Sequence, residues 1–393
     1  MSRERIHYLD WLKVLIVYGI LLFHASLVFT GGTWLVTNRQ GSVALSMFAG
    51  FCFPWGIPAI FLIAGADAFF GSRSVTPSQF VRRRVLRLLL PMGLGLFTLS
   101  PYQRFVTSHN PPPPLSKFPD FYLNFFRTFQ FEPSLQWISR YWLHLWFLGY
   151  LFAISLLCLP FLRWLRQEGG LRFTELIVRL ANLRGGILFL AAPLFAAQLA
   201  LRPLFPGYQD WADVATYTFV FAMGALFFSD RRFEAAIRRE IHWTLLLGAF
   251  AVIGVAGVLS TVHYNLLGIP HLPVTEQAAF ALFWTIDVWA WNLAVLYIGV
   301  RWLDRPNRVM SYAQESILPF YVIHHPVVLT VASFVVTWSL GVWPKFAVIV
   351  LVGYAITITL YELAVRRWPV MRTIFGLGPM RARPEVRPAV SQA

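Results

Sequence analysis

Residues 11–30 read WLKVLIVYGILLFHASLVFT, and this stretch decides the class of fold. An α-helix of about 20 residues crosses the roughly 30 Å hydrocarbon core of a bilayer, and this run is apolar over nearly all of that length. Lys13 and His24 are the exceptions inside it. A cleavable signal peptide is the alternative interpretation. The histidine and the lack of a small-x-small cleavage site favour a retained membrane helix.

The whole chain shares the apolar character of this stretch. Of its 393 residues, 57% are hydrophobic and 13% are charged, whereas soluble domains carry about 25% charged residues. A soluble globular domain and a disordered chain are therefore excluded. The net charge of +15 is spread over many loops, which argues against a nucleic-acid partner. Cys52 and Cys158 both lie in apolar stretches, which excludes a disulfide framework.

Ten stretches are long and apolar enough to span a lipid bilayer. They lie near 11–30, 43–70, 86–106, 141–162, 186–205, 213–229, 243–263, 277–300, 312–338 and 345–365. Short cytoplasmic loops hold an excess of Lys and Arg, and with the N-terminus inside, the inner segments carry 25 of the 33 basic residues and the outer segments seven. The sequence therefore predicts an all-α, polytopic membrane helix bundle of about 10 spans with both termini cytoplasmic. Residues 1–379 form a single membrane domain, and 380–393 are predicted to be a basic, disordered cytoplasmic tail.

Ionisable side chains inside the predicted spans are the candidates for function, because charge in hydrocarbon is costly. His24 and His324 lie at matched depths, each about 20 Å along its helix from the inner surface. His325 adjoins His324, and neighbours on an α-helix point about 100° apart, so at most one of the two is expected to face the same cavity as His24. Pro326 lacks a backbone donor and frees the carbonyl group of Val322, which creates a polar point in the helix wall.

Two other interpretations of these histidines stay open. A histidine in a membrane helix often only hydrogen-bonds between helices, and this structural role is sufficient for either histidine taken alone. A metal site is disfavoured because no carboxylate stands beside the histidines at ligand spacing, so we predict no metal.

A basic cluster, defined here as Lys13, Arg84 and Arg87, is predicted at the inner surface. The i, i+3 spacing of the two arginines puts them on one helix face, at the height of Lys13. A fork of guanidinium groups suits phosphate or carboxylate, although the excess of positive charge inside explains arginines there equally well. His144 at the start of the fourth span and Asp287 near the middle of the eighth are candidates for substrate binding.

Six short motifs, in order along residues 3–379, resemble the membrane acyltransferase-3 family. The motifs are Lys13-x10-His24, Ile60-Phe61-Leu62-Ile63-Ala64-Gly65, Arg84-x-x-Arg87 with Pro91, His144-Leu145-Trp146-Phe147-Leu148, Tyr321-Val322-Ile323-His324-His325-Pro326 and Leu360-Tyr361-Glu362. Ala64 departs from the serine usual in the family. The set is most similar to the subgroup that contains the succinyltransferase of osmoregulated periplasmic glucans.

The resemblance implies an O-acyltransferase in a bacterial inner membrane. Such an enzyme moves a succinyl or acetyl group from a cytoplasmic acyl-CoA to hydroxyls of a periplasmic glucan or another envelope carbohydrate. Succinyl-CoA or acetyl-CoA is then a donor substrate, and no cofactor is bound permanently. Residues 1–379 would be a single acyltransferase domain.

Under this hypothesis the residues take separate roles. His24 is the general base, His324 or His325 orients it or stabilises the oxyanion, and the basic cluster binds the donor phosphates. Direct transfer is favoured over an acyl-enzyme, because the sequence has no Gly-x-Ser-x-Gly elbow. The rival hypothesis is a proton-coupled transporter or flippase of a carbohydrate or lipid-linked substrate, since intramembrane His and Asp residues also form proton relays.

Overall fold

A computed structural model of the chain describes residues 6–32, 34–131, 135–260, 274–305 and 308–377. Within these ranges the chain is helical and contains no β-strand. The helices are α1 (His7–Leu27), α2 (Val43–Gly71), α3 (Pro77–Val106), α4 (Phe118–Arg127), α5 (Gln136–Trp142), α6 (Trp146–Leu157), α7 (Leu159–Trp164), α8 (Glu168–Asn182), α9 (Gly186–Leu201), α10 (Trp211–Phe227), α11 (Arg232–Ser260), α12 (Val274–Trp302), α13 (Arg308–Val335), α14 (Val342–Val365) and α15 (Pro369–Ile374). The predicted tail at 380–393 lies outside the described residues.

Among the described residues, seven helices are long and apolar enough to cross a membrane: α1, α2, α3, α11, α12, α13 and α14. The prediction of an all-α, multi-pass membrane protein is confirmed in this form. The other three predicted spans, at 141–162, 186–205 and 213–229, coincide with the shorter helices α6 and α7, α9, and α10. The count of about 10 spans and the cytoplasmic location of both termini therefore stay predictions.

Helices α2 and α10 approach each other closely through two glycines. A Cβ atom on Gly65 would lie 1.9 Å from the carbonyl oxygen of Phe221, and a Cβ atom on Gly224 would lie 1.9 Å from the carbonyl oxygen of Leu62. Small residues at a membrane helix interface permit such backbone contact. The glycine that ends the Ile60–Gly65 motif thus has a packing role.

Helix α3 is irregular in its first half. Residues Val85–Leu89 form a π turn, which ends two residues before Pro91. Proline has no N–H to donate to the carbonyl of Arg87, four residues earlier, so the regular hydrogen-bond ladder is interrupted here. Because Arg84 precedes the π turn and Arg87 lies within it, the angle between the two side chains differs from the α-helical value on which their predicted common face rests.

Helix α1 packs against α2, α12, α13 and α14, and its closest partner is α13. The rings of Tyr18 and Phe320 stack with centroids 4.1 Å apart. The hydroxyl groups of Tyr18 and Ser316 share a hydrogen bond of 2.7 Å, and the Tyr354 hydroxyl on α14 donates to the Tyr18 carbonyl oxygen. These contacts hold α1 against α13 one to two turns from the histidines.

Candidate active site

A cavity of about 1000 Å³, called here the main cavity, lies along α1 between α2, α12 and the segments that precede α6 and α10. Its wall is mostly apolar, since α1 contributes residues from Leu12 to Leu27. The lining also contains charged, imidazole and amide side chains, of which His24 lies on α1: His24, Arg104, Arg140, His144, Gln209 and His325. In the part of the chain that the structure describes, no Asp or Glu lines this cavity.

Four histidines meet at the cavity and form what we call the histidine cluster: His24, His144, His324 and His325. The Nδ1 atom of His24 lies 3.0 Å from the Nε2 atom of His324. The His325 ring stands perpendicular to that of His24 with centroids 4.6 Å apart, and it stacks on the His144 ring at the same distance. The matched depths predicted for His24 and His324 are therefore confirmed as a direct contact.

Hydrogen bonds determine which nitrogen of each neutral ring carries the proton. The Nδ1 atom of His324 lies 2.6 Å from the Tyr321 carbonyl oxygen, which can only accept, so Nδ1 carries the proton. The Nε2 atom of His324 is then an acceptor and receives the N–H at Nδ1 of His24. As a result, Nε2 of His24 keeps its lone pair and is available as a base.

His144 is held by the carbonyl group that Pro326 frees. The Nε2 atom of His144 lies 3.0 Å from the Val322 carbonyl oxygen and donates to it. The predicted polar point in the wall of α13 is thus confirmed. The Tyr321 hydroxyl donates to the His144 carbonyl oxygen. The Nδ1 atom of His144 is buried and has no hydrogen-bond partner among the described residues.

His325 is oriented by Gln103, a residue that the sequence did not single out. The Nδ1 atom of His325 donates to Oε1 of Gln103. The Gln103 amide is fixed in turn because its Nε2 atom donates to the Leu99 carbonyl oxygen at 3.0 Å. His325 lines the main cavity. His324 contacts His24 but does not line the cavity itself. Of the two adjacent histidines, His325 is thus the one exposed to the cavity.

The basic cluster lies outside the main cavity. The Lys13 Nζ atom lies 2.8 Å from Oδ1 of Asp67 and 3.3 Å from Oδ1 of Asp10, so its charge is already paired. Asp67 also attracts Arg84 electrostatically. Arg84 is half-buried with its guanidinium over the Phe80 ring, and Arg87 is exposed. Carboxylates on α1 and α2 therefore neutralise the lysine of the cluster, which leaves the two arginines as its available charges.

Asp287 is separate from the histidine cluster. It is buried on α12, with 1% of its surface exposed, and it does not line the main cavity. Its Oδ1 atom has no hydrogen-bond partner within the described ranges. The structure thus does not bring Asp287 together with the other predicted site residues.

Arg104 is a cavity residue that the sequence presented only as a basic residue at the outer end of a span. Its Nε and Nη2 atoms donate to the Arg140 carbonyl oxygen at 3.1 and 2.6 Å. No carboxylate pairs with Arg104 in the described residues. An arginine within a predicted span, one position after a glutamine, was the signal that could have identified it.

A second cavity of about 880 Å³, called here the inner cavity, lies where α1 begins and where α2, α10 and α12 end. Its lining includes Arg73, Arg231 and Arg238 as well as acidic groups. Arg238 pairs with Glu234 at 2.9 Å. At its edge, hydrogen bonds from Arg232 lower the pKa of Asp230 below its ordinary value, so this carboxylate is charged at neutral pH.

Comparison with known proteins gives a family and a set of relatives. Residues 6–362 match the sequence model of a protein family, which is described as "Acyltransferase domain". Glucans biosynthesis protein C from Escherichia coli O157:H7 and from Escherichia coli K12 are each 22% identical to this chain, over an alignment that covers 97% of this chain and 96% of the relative. No solved structure matches the chain.

Proposed function

Because this chain belongs to the acyltransferase family, we propose that it is a membrane O-acyltransferase that moves a succinyl or acetyl group from acyl-CoA to a hydroxyl group of a glucan or another envelope carbohydrate. The observation that carries the proposal is the contact between His24 and His324 at a cavity wall, which leaves a nitrogen lone pair on His24. The name of the relatives supports a glucan as the acceptor.

His24 acts as the general base. Its Nε2 atom removes the proton of the acceptor hydroxyl as the oxygen attacks the carbonyl carbon of the thioester. The carbon–sulfur bond breaks, the thiolate of coenzyme A leaves and takes the proton back from the imidazolium, and the acyl group becomes an ester. His324 accepts the hydrogen bond from Nδ1–H of His24 and so stabilises the imidazolium while it carries the extra proton.

The donor enters along α1. From Leu12 to His24 the main cavity follows the helix for about 18 Å, at 1.5 Å per residue. The apolar wall suits the long arm that joins the thioester to the phosphates of coenzyme A. The phosphates bind the basic cluster, where Arg84 and Arg87 supply charge near the inner surface.

Arg104 supports a succinyl group as the transferred group. A succinyl group carries a carboxylate that an acetyl group lacks, and Arg104 offers a guanidinium in a cavity that no carboxylate of the described chain lines. Arg104 is half-buried and, among the described residues, its hydrogen bonds go to a neutral carbonyl oxygen, so an anionic ligand would satisfy its charge. An acetyl donor would leave Arg104 unpaired.

The first experiment tests His24 directly. We expect His24→Ala to remain folded and to transfer a labelled succinyl or acetyl group from acyl-CoA to glucan about 10²- to 10⁴-fold more slowly. His109→Ala is the matched control, because His109 is an exposed histidine in the loop after α3. Normal turnover by His24→Ala would remove His24 from its role. Movement of a chemically unchanged substrate across vesicles would favour a transporter instead.

The proposed direction of transfer depends on the orientation of the chain in the membrane, which the distribution of basic residues predicts to have both termini in the cytoplasm. The enzyme would then lie in a bacterial inner membrane, with the donor on the cytoplasmic side and the acceptor on the periplasmic side. A reporter fused after residue 120 should read periplasmic. A cytoplasmic reading would reverse the proposed direction.

A further inference from the structure

Two residues other than glycine hold a positive φ angle in the described chain, and both line the main cavity. They are Leu143, with φ 50°, and Gln209, with φ 65°. Such a backbone conformation is unfavourable for a residue with a side chain. Strained positions of this kind persist where the surrounding structure enforces them, and they cluster at functional sites. Leu143 directly precedes His144, which the Val322 carbonyl oxygen holds in place, so the backbone at this position is fixed by the histidine cluster.

Hydrogen bonds at the N–H and at the carbonyl oxygen of Gln209 enforce its backbone conformation. Its N–H donates to Oδ2 of Asp213 at 2.8 Å, and its carbonyl oxygen accepts a hydrogen bond of 2.5 Å from the Tyr150 hydroxyl. Asp213 lies on α10 and Tyr150 lies on α6, so two helices clamp this one residue. The backbone of Gln209 is therefore fixed in a conformation that it would not adopt by itself.

The clamp is itself supported by a buried ion pair. The Arg202 guanidinium pairs with Oδ1 of Asp213, and the side chains of both are only 6% exposed. Arg202 also donates through Nε to Oε1 of Gln198 at 3.0 Å, and Gln198 donates through Nε2 to the Thr216 hydroxyl. A buried ion pair of this kind restricts the local conformation, because separating the two groups would leave each charge buried alone. The loop between α9 and α10 is thus held rigid around Gln209.

These contacts place the side-chain amide of Gln209 at the wall of the main cavity. Gln209 is 3% exposed, and its Oε1 atom is buried without a hydrogen-bond partner in the described part of the chain. Leaving a buried polar atom unpaired is costly unless a ligand satisfies it. Beside it, the Tyr208 ring lies against the rings of Phe53 and Trp146, with centroids 5.0 and 6.0 Å away. The amide thus stands at the edge of an aromatic wall.

We propose that Gln209 binds a hydroxyl group of the carbohydrate acceptor and holds the acceptor in the main cavity. The assignment rests on the proposed function. A primary amide offers both donor and acceptor atoms, which complements a hydroxyl group, whereas the guanidinium of Arg104 in the same cavity suits an anion. The aromatic wall supplies the apolar surface against which a sugar ring packs. Gln209 is a positioning residue for the acceptor and takes no part in proton transfer.

The decisive variant is Gln209→Gly, because glycine accepts a positive φ angle without cost. If Gln209 had only a structural role, glycine would leave the protein at least as stable and fully active. Under the proposal, the variant keeps or exceeds the thermal stability of the wild type. Its KM for the glucan acceptor nevertheless rises about 3- to 10-fold, the value of one neutral hydrogen bond, with KM for acyl-CoA unchanged.

A second variant and a second reaction complete the test. Gln209→Asn keeps an amide and tolerates the left-handed backbone, so it should show a smaller rise in acceptor KM. Hydrolysis of acyl-CoA by water, measured without glucan, should fall less than glucan transfer in both variants, because water does not depend on Gln209 for its position. Gln40→Gly, at an exposed glutamine between α1 and α2, is the matched control.

The outcomes separate the two proposals. An unchanged acceptor KM in Gln209→Gly would overturn the assignment of Gln209 and leave the acyltransferase intact. An equal loss of glucan transfer and of hydrolysis would overturn it as well, because the defect would then lie in the chemical step. A wild-type protein that transfers no acyl group would overturn both.

Discussion

The Nδ1 atom of His24 lies 3.0 Å from the Nε2 atom of His324, although 300 positions separate the two residues in the chain. The contact depends on the register of α1 against α13. The Tyr18–Phe320 stack and the Tyr18–Ser316 hydrogen bond set that register. Since the Tyr321 carbonyl fixes the proton of His324 on Nδ1, the orientation of one imidazole determines which nitrogen of the other is free. The tautomer of His324 thus determines which ring nitrogen of His24 carries the proton.

His324→Ala tests this coupling. We expect kcat to fall about 10- to 100-fold with little change in either KM, because His24 remains but loses the group that orients it and stabilises its protonated form. The double variant His24→Ala, His324→Ala should be no slower than His24→Ala alone, since residues that act as a unit show non-additive losses. Additive losses would mean that the two histidines act independently. The measurement is single-turnover transfer of a labelled acyl group.

Arg104→Gln tests the choice of acyl group. If Arg104 pairs with the carboxylate of a succinyl group, the variant should lose about 10- to 100-fold in kcat/KM with succinyl-CoA and much less with acetyl-CoA. Arg127→Gln, at an exposed arginine at the end of α4, is the matched control. Equal losses with both donors would instead indicate that Arg104 stabilises charge common to both transition states.

The membrane fold and the core of the site could be predicted from simple lengths and periods. Span length identified the long apolar helices, and the rise per residue placed His24 and His324 at one depth. Pro326 indicated a free carbonyl at Val322, where His144 now donates. Each of these inferences uses only local helix geometry, which the sequence contains.

The features that escaped prediction depend on contacts between distant segments. Hydrogen bonds from Tyr150 and to Asp213 fix the backbone conformation of Gln209, and no local sequence pattern predicts it. Arg84 and Arg87 were placed on one face by α-helical spacing, but Pro91 interrupts the ladder, and Arg87 lies inside the π turn Val85–Leu89 that begins directly after Arg84. Helical periodicity therefore predicts neither a backbone conformation fixed by tertiary hydrogen bonds nor a local departure from α-helical geometry.

Gly65→Ala tests the close contact of α2 and α10. A methyl group at this position would meet the Phe221 carbonyl oxygen at 1.9 Å, and backbone atoms cannot move aside as a side chain can. We expect a loss of about 3 kcal/mol or more in the free energy of unfolding in detergent, the upper range for overpacking. Gly93→Ala, where an added Cβ meets nothing within 4 Å, is the control and should lose no stability, because alanine is a better helix former than glycine. Equal stability of the two variants would contradict the packing of α2 on α10.

The double variant Arg84→Ala, Arg87→Ala tests the proposed binding of the donor phosphates. We expect about a tenfold rise in KM for acyl-CoA with KM for glucan unchanged, because charge-assisted hydrogen bonds to phosphate are lost at one end of the donor only. Arg82→Ala, Arg83→Ala removes two exposed positive charges from the same helix and is the matched control, since a merely topological role would make the two pairs equivalent. An unchanged KM would leave Arg84 and Arg87 as topological residues and turn attention to the arginines of the inner cavity.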